Sequence, residues 1–254
     1  MTDDIELLRR YVEDASEISF TELVERHVDF VYAAALRQLR GAHRAEDITQ
    51  AVFTDLARKA HKLMRRRELV GWLYVSTHYA ATALIRSEAR REAREQKAFL
   101  NQDASADSTA TTDWQSIRPV LDEVLHDLNE ADRTAVLLRY FMGRSFADIG
   151  AALSLTEDSA RKRVIRALER LRSLLARRGV TSAAAALELT LASQAGVAAP
   201  SGLATIVTNT ALASAAAATG TASAMSLLGF MSATKTASGI AAAVALVAVF
   251  TAGY

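Results

Sequence analysis

The segment from Ser145 to Arg172, SFADIGAALSLTEDSARKRVIRALERLR, carries the full punctuation of a two-helix unit. Ser145 with Asp148 three residues on is an N-cap pattern, and Phe146, Ile149 and Leu153 then supply about two turns of apolar spacing. Ser154 and Leu155 interrupt. Thr156 caps a longer helix in which Ala160, Val164, Ala167, Leu168, Leu171 and then Leu175 face inward. A short helix, a tight turn and a longer helix make a helix-turn-helix, whose second helix fits the major groove of duplex DNA. From Glu157 to Arg178 this helix holds eight bases against three acids. Bases on its early turns, Arg161, Lys162, Arg163 and Arg166, can reach base edges, while later ones meet only phosphates or solvent. A basic helix by itself also suits a solvated, salt-bridged surface; the capped short helix and turn before it favour DNA.

Before this unit, Ile117, Val120, Leu121, Val124, Leu125 and Leu128 form an apolar stripe. Asn129 with Asp132 caps a helix carrying Val136, Leu137, Tyr140 and Phe141 up to Gly143. Residues 98–116 are mostly Ser, Thr, Ala, Asn and Gln with three Asp and no base, the composition of a flexible acidic linker between domains.

Ahead of that linker the spacing predicts four helices. Ile5, Leu8, Tyr11 and Val12 mark the first, and Phe20 through Leu39 the second, which Gly41 ends. Ile48, Ala51, Val52 and Leu56 mark the third, whose other face shows Asp47, Gln50 and Thr54. A fourth starts near Glu68, packs Trp72, Leu73, Ser76, Ala80 and Leu84, and runs on as a charged extension from Arg86 to Lys97.

Composition agrees with an all-α fold: two Pro and eleven Gly in 254 residues leave little turn chemistry for a sheet. Cysteine is absent, which excludes disulfides, thiolate metal sites and a cysteine nucleophile. The five His stand apart, with no pair at ligand spacing, and there is no phosphate loop, nucleophile elbow or dinucleotide fingerprint. No metal, no cofactor and no enzymatic activity are expected. Met1 to Arg10 carries acids and no apolar run, unlike a secretory signal.

The blocks taken together resemble the extracytoplasmic-function (ECF) group of bacterial RNA polymerase sigma factors. FTELVERHVDFVYAAALRQL, residues 20–39, is similar to the first helices of the family's promoter-melting domain, region 2. AEDITQAVFTDLARK, residues 45–59, resembles the block that grips the clamp helices of the polymerase, so Asp47, Gln50 and Phe53 are the implied contact positions. GWLYVSTHYAATALIR, residues 71–86, resembles the segment that opens and reads the downstream promoter element. Where many relatives carry Arg-Asn and then Asp, this chain has His78, Tyr79 and Ala83. Residues 128–172 are similar to region 4, which reads the upstream element, with Ser159, Arg161, Lys162, Arg163 and Arg166 at the recognition positions. The resemblance implies region 2 over residues 1–97, a linker over 98–116 and region 4 over 117–179. Core RNA polymerase and promoter DNA are the implied partners, in the cytoplasm.

The residues admit plainer readings beside these. Phe53 can belong to the core with Val52 and Leu56 rather than to an exposed strip with Asp47 and Gln50. Trp72 and Tyr79, two turns apart, can stack on an unpaired base, although Trp72 also suits a core anchor. Arg86, Arg90 and Arg94 repeat every four residues and can follow phosphates or form a solvated face held by Glu88 and Glu92.

Residues 180–254 are a different material. Of 59 charged residues only Glu188 and Lys235 fall there, among Ala, Ser, Thr, Gly and Leu. The 19 uncharged residues from Thr236 to Tyr254 would span about 28 Å as a helix, close to a bilayer's hydrocarbon core. An inner-membrane tether and an Ala-rich helix packed on the protein or a partner are both compatible with this. Some members of the family carry C-terminal extensions that act as built-in regulators in place of a separate anti-sigma protein, and the resemblance implies either device here. Two other functions fit the basic helices: a helix-turn-helix regulator acting without polymerase, and a membrane-anchored protein that meets anionic lipid.

Overall fold

The N-terminal helix is held down by a buried carboxylate. In the computed structural model, which describes residues 3–39, 41–98, 114–180, 187–188, 191–192 and 197–218, α1 (Asp4–Glu13) places Asp4 against the next helix. There Asp4 takes His27 Nε2 at 2.6 Å and pairs with Arg26. Burial pushes its pKa up, but the bonds and charges of His27 and Arg26 outweigh burial and hold it below the ordinary Asp value. α2 (Glu17–Gln38) starts at Ser16, whose hydroxyl accepts the Ser19 N–H at 3.3 Å. Phe20, Leu23, Val24 and Val31 on α2 are fully buried. Gly41, with φ of +116°, makes the turn into α3 (Ala42–Leu63) in a backbone region that other residues rarely adopt. α4 (Val70–Ala98) is capped by the Glu68 carboxylate, which accepts the N–H of Leu69 at 2.9 Å and of Val70 at 3.1 Å.

The remaining helices follow the predicted caps closely. α5 (Trp114–Asp127) leads to Asn129, which accepts the Asp132 N–H at 2.9 Å and starts α6 (Glu130–Val136). α6 runs directly into a π-helical turn, Leu137–Phe141, where the sequence spacing reads as continuous α-helix. At α7 (Phe146–Leu153) both bonds of the Ser145–Asp148 capping box are present. Thr156 accepts the Ser159 N–H at 3.2 Å and opens α8 (Glu157–Arg177). The turn between α7 and α8 depends on Gly150, because a Cβ there would sit 2.7 Å from the Leu155 carbonyl oxygen. The described residues are helical with no strand.

The two helical groups meet in one continuous core. α5 and α6 pack against α2 and α4, and Leu121, Val124, Leu125, Leu128, Ala135 and Val136 join it from the second group. α9 (Leu203–Ala218) buries Leu203, Val207 and Ala211, and Leu187 and Leu191 are buried ahead of it. The tail is fastened to α2 and α3 by the Ala199 N–H on Asp29 Oδ1 at 2.8 Å and by Arg58 Nη2 on Ser214 Oγ at 2.6 Å. Thr236–Tyr254, the candidate membrane span, lies outside the described residues, as do residues 99–113 of the linker. Among the described residues no helix is long and apolar enough to cross a membrane.

Candidate polymerase and nucleic-acid interfaces

Three helix faces carry the candidate residues. On α3 the buried side is Ala45, Ile48, Thr49, Val52, Phe53, Leu56 and Ala57. Asp47 stands outside with its side chain 63% exposed, 3.6 Å from His43 Nδ1, and Gln50 is half-buried at the edge of the same face. The expected strip of Asp47, Gln50 and Phe53 breaks at its last member: Phe53 is 0% exposed and belongs to the core. Ala51, expected inside, is exposed. The physical reason is the phase of the helix. Turning it so that Phe53 is buried removes a whole aromatic ring from water, a gain of about 2–3 kcal/mol, and gives up only the methyl group of Ala51. Phe53 therefore shapes α3 from beneath, and the outer face offers Asp47, Gln50, Thr54 and Arg58.

On α4, Trp72 is half-buried against the core, which is its plainer reading. His78 Nδ1 lies 2.9 Å from Gln38 Oε1 of α2. Tyr79 is 60% exposed, the largest outward aromatic of this helix. Both meet His126 from α5: its ring stacks on His78 with centroids 4.6 Å apart and meets Tyr79 edge-on at 5.1 Å. Burial lowers the His78 pKa, helped by the charge of His126, and burial with the charge of Arg133 lowers that of His126. Further along, Arg86 and Arg90 are exposed and have no acidic partner among the described residues. Glu88 is instead engaged by Arg44 of α3 at 3.0 Å, so it does not neutralise the ladder.

α8 sorts its bases by direction. Arg161, Lys162 and Arg166 are exposed. Arg161 lies 3.6 Å from Glu157 and 5.1 Å over the Phe146 ring, Lys162 pairs with Asp158 at 2.7 Å, and Arg166 Nε donates to the Lys162 carbonyl at 3.3 Å. Arg163 does not join them. It is half-buried, with its guanidinium 3.8 Å from Asp132 at the start of α6, and so is directed toward the scaffold. The reason is again helical phase, since position 163 lies beside Val164 and Ala167 on the inward side. Ser159 Oγ is 2.9 Å from Thr156 Oγ1, within the cap. Arg170 and Arg178 fasten the far end to Asp132 at 3.0 Å and Asp127 at 2.8 Å. Sequence reasoning passed over Ile165, which is 50% exposed between Lys162 and Arg166. Its signal was available: position 165 shares a helix strip with Arg161, Lys162 and Glu169, the charged outer side.

Among the described residues no group of three or more His, Cys, Asp or Glu could hold a metal ion. The arrangement offers charge, hydrogen bonds and aromatic faces to macromolecules.

Comparison with known proteins falls on these same helices. The Sigma-70 region 2 model matches residues 23–91, and the Sigma-70, region 4 model matches residues 124–173. The chain is 29% identical over 164 residues to RNA polymerase sigma factor CarQ of Myxococcus xanthus, covering 64% of this chain and 92% of that one. It is 30% identical over 180 residues to ECF RNA polymerase sigma factor SigE of Mycolicibacterium smegmatis, covering 68% of each. A solved structure of the sigma factor RpoE in complex with the anti-sigma factor NepR from Bartonella quintana aligns over 61% of this chain and 94% of that one at 22% identity, with a TM-score of 0.29. Both family models, in the order region 2 then region 4, and the sigma-factor relatives agree on one assignment: this chain belongs to the ECF group of RNA polymerase sigma factors, which bind core polymerase and direct promoter-specific initiation.

Proposed function

We propose that this factor divides its work among the three faces just described. The outer face of α3, with Asp47 and Gln50, grips core polymerase, and Phe53 keeps that face in place from the core. On α4, His78 and Tyr79 take bases of the opened downstream element by stacking, while Arg86 and Arg90 follow the phosphates. On α8, Arg161, Lys162 and Arg166 read and clamp the upstream duplex, and Arg163 braces the helix. The polymerase makes the phosphodiester bond; this chain contributes binding, and does so where chromosome and polymerase meet, in the cytoplasm.

The observation that carries the reading is the sorting of bases on α8. Arg163, Arg170 and Arg178 are turned onto acids of α5 and α6, whereas Arg161, Lys162 and Arg166 are presented outward beside Ile165. Reconstituted transcription on a library of genomic fragments tests the reading: transcripts from specific fragments should require both this chain and core polymerase. Asp47→Ala with Gln50→Ala should weaken core binding. Tight, sequence-specific duplex binding by the chain alone, with no dependence on polymerase, would favour an ordinary operator-binding regulator.

The tail is read here as a built-in regulator in place of a separate anti-sigma partner. It is supported by the anchoring of Ala199 to Asp29 on α2 and of Ser214 to Arg58, three turns along α3 from Asp47. Deleting Thr181 onward should leave promoter-dependent transcription intact or raised; loss of polymerase binding would refute it. Membrane fractionation of the full chain tests whether residues 236–254 add an inner-membrane contact.

A further inference from the structure

The surface that joins the two helical groups is built around buried polar side chains. At its centre Asp122 of α5 and Arg37 of α2, each with a side chain 5% exposed, pair at 3.1 Å. The Tyr74 hydroxyl of α4 lies 2.9 Å from the Asp122 carbonyl oxygen and 3.0 Å from its Oδ1. Beside them Gly71 lets α6 approach so closely that a Cβ there would be 2.6 Å from Thr134 Oγ1. At the rim His126 lies on His78 and against Tyr79.

A buried ion pair is a poor adhesive, because desolvation consumes most of its Coulomb energy, but it fixes one docking geometry sharply. Such a contact suits two bodies that must meet in one register and part again. What it covers is specific. His126 offers a flat heteroaromatic ring to His78 and Tyr79, in the place where an unstacked nucleobase would lie.

We propose that α5 is a latch on region 2: Asp122 docks it, and His126 occupies the base-stacking face of α4 in place of a promoter base until the two groups separate. This rests on the reading of His78 and Tyr79 given above. The factor then has a closed form, shown by the structure, and an open form able to take the melted strand, and polymerase binding must draw on the difference between them.

Because the chain has no cysteine, the latch can be locked cleanly. A Cβ at Gly71 would be 3.8 Å from Thr134 Cβ, at about the mean separation for a disulfide. The full-length Gly71→Cys, Thr134→Cys protein should therefore cross-link on mild oxidation. With core polymerase and promoter fragments selected by its reduced form, open-complex formation should fall at least about tenfold on oxidation and return with reductant. Should the pair variant fail to fold, His126→Ala carries the test, with an expected several-fold rise in open complexes at limiting factor. An oxidised protein that opens promoters as well as the reduced one overturns the latch, and so does a folded pair variant that will not cross-link, or a His126→Ala protein with no gain. Tyr79→Ala in the same assay separates the two readings. If it leaves open-complex formation unchanged while the lock abolishes it, docking of α5 through Asp122 stands as a lock on the factor, and the assignment of α4 to the melted strand falls together with the displacement of a promoter base by His126.

Discussion

The faces of α8 and α4 proposed for DNA are presented on very different terms. Outward on α8 stand Arg161, Lys162, Ile165 and Arg166, exposed and backed by a helix-turn-helix whose caps and turn are all local. On α4, His78 and Tyr79 are met by His126 from the other helical group. One surface is open to duplex; the other is partly occupied, with His126 stacked on His78 and meeting only the edge of Tyr79, which stays 60% exposed. Duplex needs no preparation to be read, whereas a melted strand exists only after polymerase has engaged, so the face that takes it can stay shut until then.

The largest effect should come from breaking the open side. Gly150→Val puts a side chain where even a Cβ meets the Leu155 carbonyl at 2.7 Å, and this is backbone that cannot swing away. The cost should be about 2–3 kcal/mol or more, read as an early-melting transition of region 4 in urea, with loss of duplex binding. Breaking the covered side is gentler because the strain has an exit. Asp122→Ala leaves Arg37 without its carboxylate, a cost of about 3 kcal/mol if the packing stays closed, but separation of the helical groups relieves it. The expected outcome is a larger radius of gyration by small-angle scattering with little change in helicity. Replacing both partners, Arg37→Met with Asp122→Leu, should restore the compact form.

The asymmetry also explains what could be read in advance. The caps at Ser145, Asn129 and Thr156 involve residues three apart, so the helix-turn-helix is legible from a few letters. Phe53 was ambiguous because Ile48, Val52 and Leu56 fit two phases of α3, and only the neighbouring helices decide between them. Arg163 needed knowledge of Asp132, 31 residues earlier in sequence, to be recognised as a brace. The contacts of Asp122 and His126 were beyond reach, since their partners lie across the linker and no local pattern encodes which groups dock. Nor does an Ala-rich tail announce that its backbone will bond Asp29.

Charge substitution on α8 should give a middle-sized effect and sharpen the division between reading and bracing. Arg161→Ala and Lys162→Ala should each reduce the slope of log affinity against log salt by about one if they neutralise phosphates. For any of them that holds a base edge, the loss should instead be about 1–3 kcal/mol and confined to particular promoter sequences. Arg163→Ala should leave the slope unchanged and lower the melting midpoint. Ile165→Lys should alter sequence preference, because an apolar side chain facing the groove can meet a thymine methyl and an ammonium cannot. An Arg163 variant that changes the slope as much as Arg161 does would remove the distinction.

The smallest effect belongs to the covered side and is a dependence on pH. In the closed packing His78 and His126 both have pKa values below the ordinary one, through burial first and then through the charge of His126 on His78 and of Arg133 on His126. Asp122 and Glu123 near His78, and Asp127 near His126, oppose this without reversing it. Once the groups separate, both rings return toward about 6.5. Between the lowered values and that one the open form binds more protons, so closure is favoured as pH rises through the window. The contribution is fully present above about pH 6.5 and is lost as pH falls through the lowered values. Dyes on cysteines placed one on each helical group should report the groups parting as pH falls from about 8 to 5. The His78→Gln, His126→Gln protein should lose that response, and a wild-type signal that stays flat over the same range would show that the stacked rings do not bias closure.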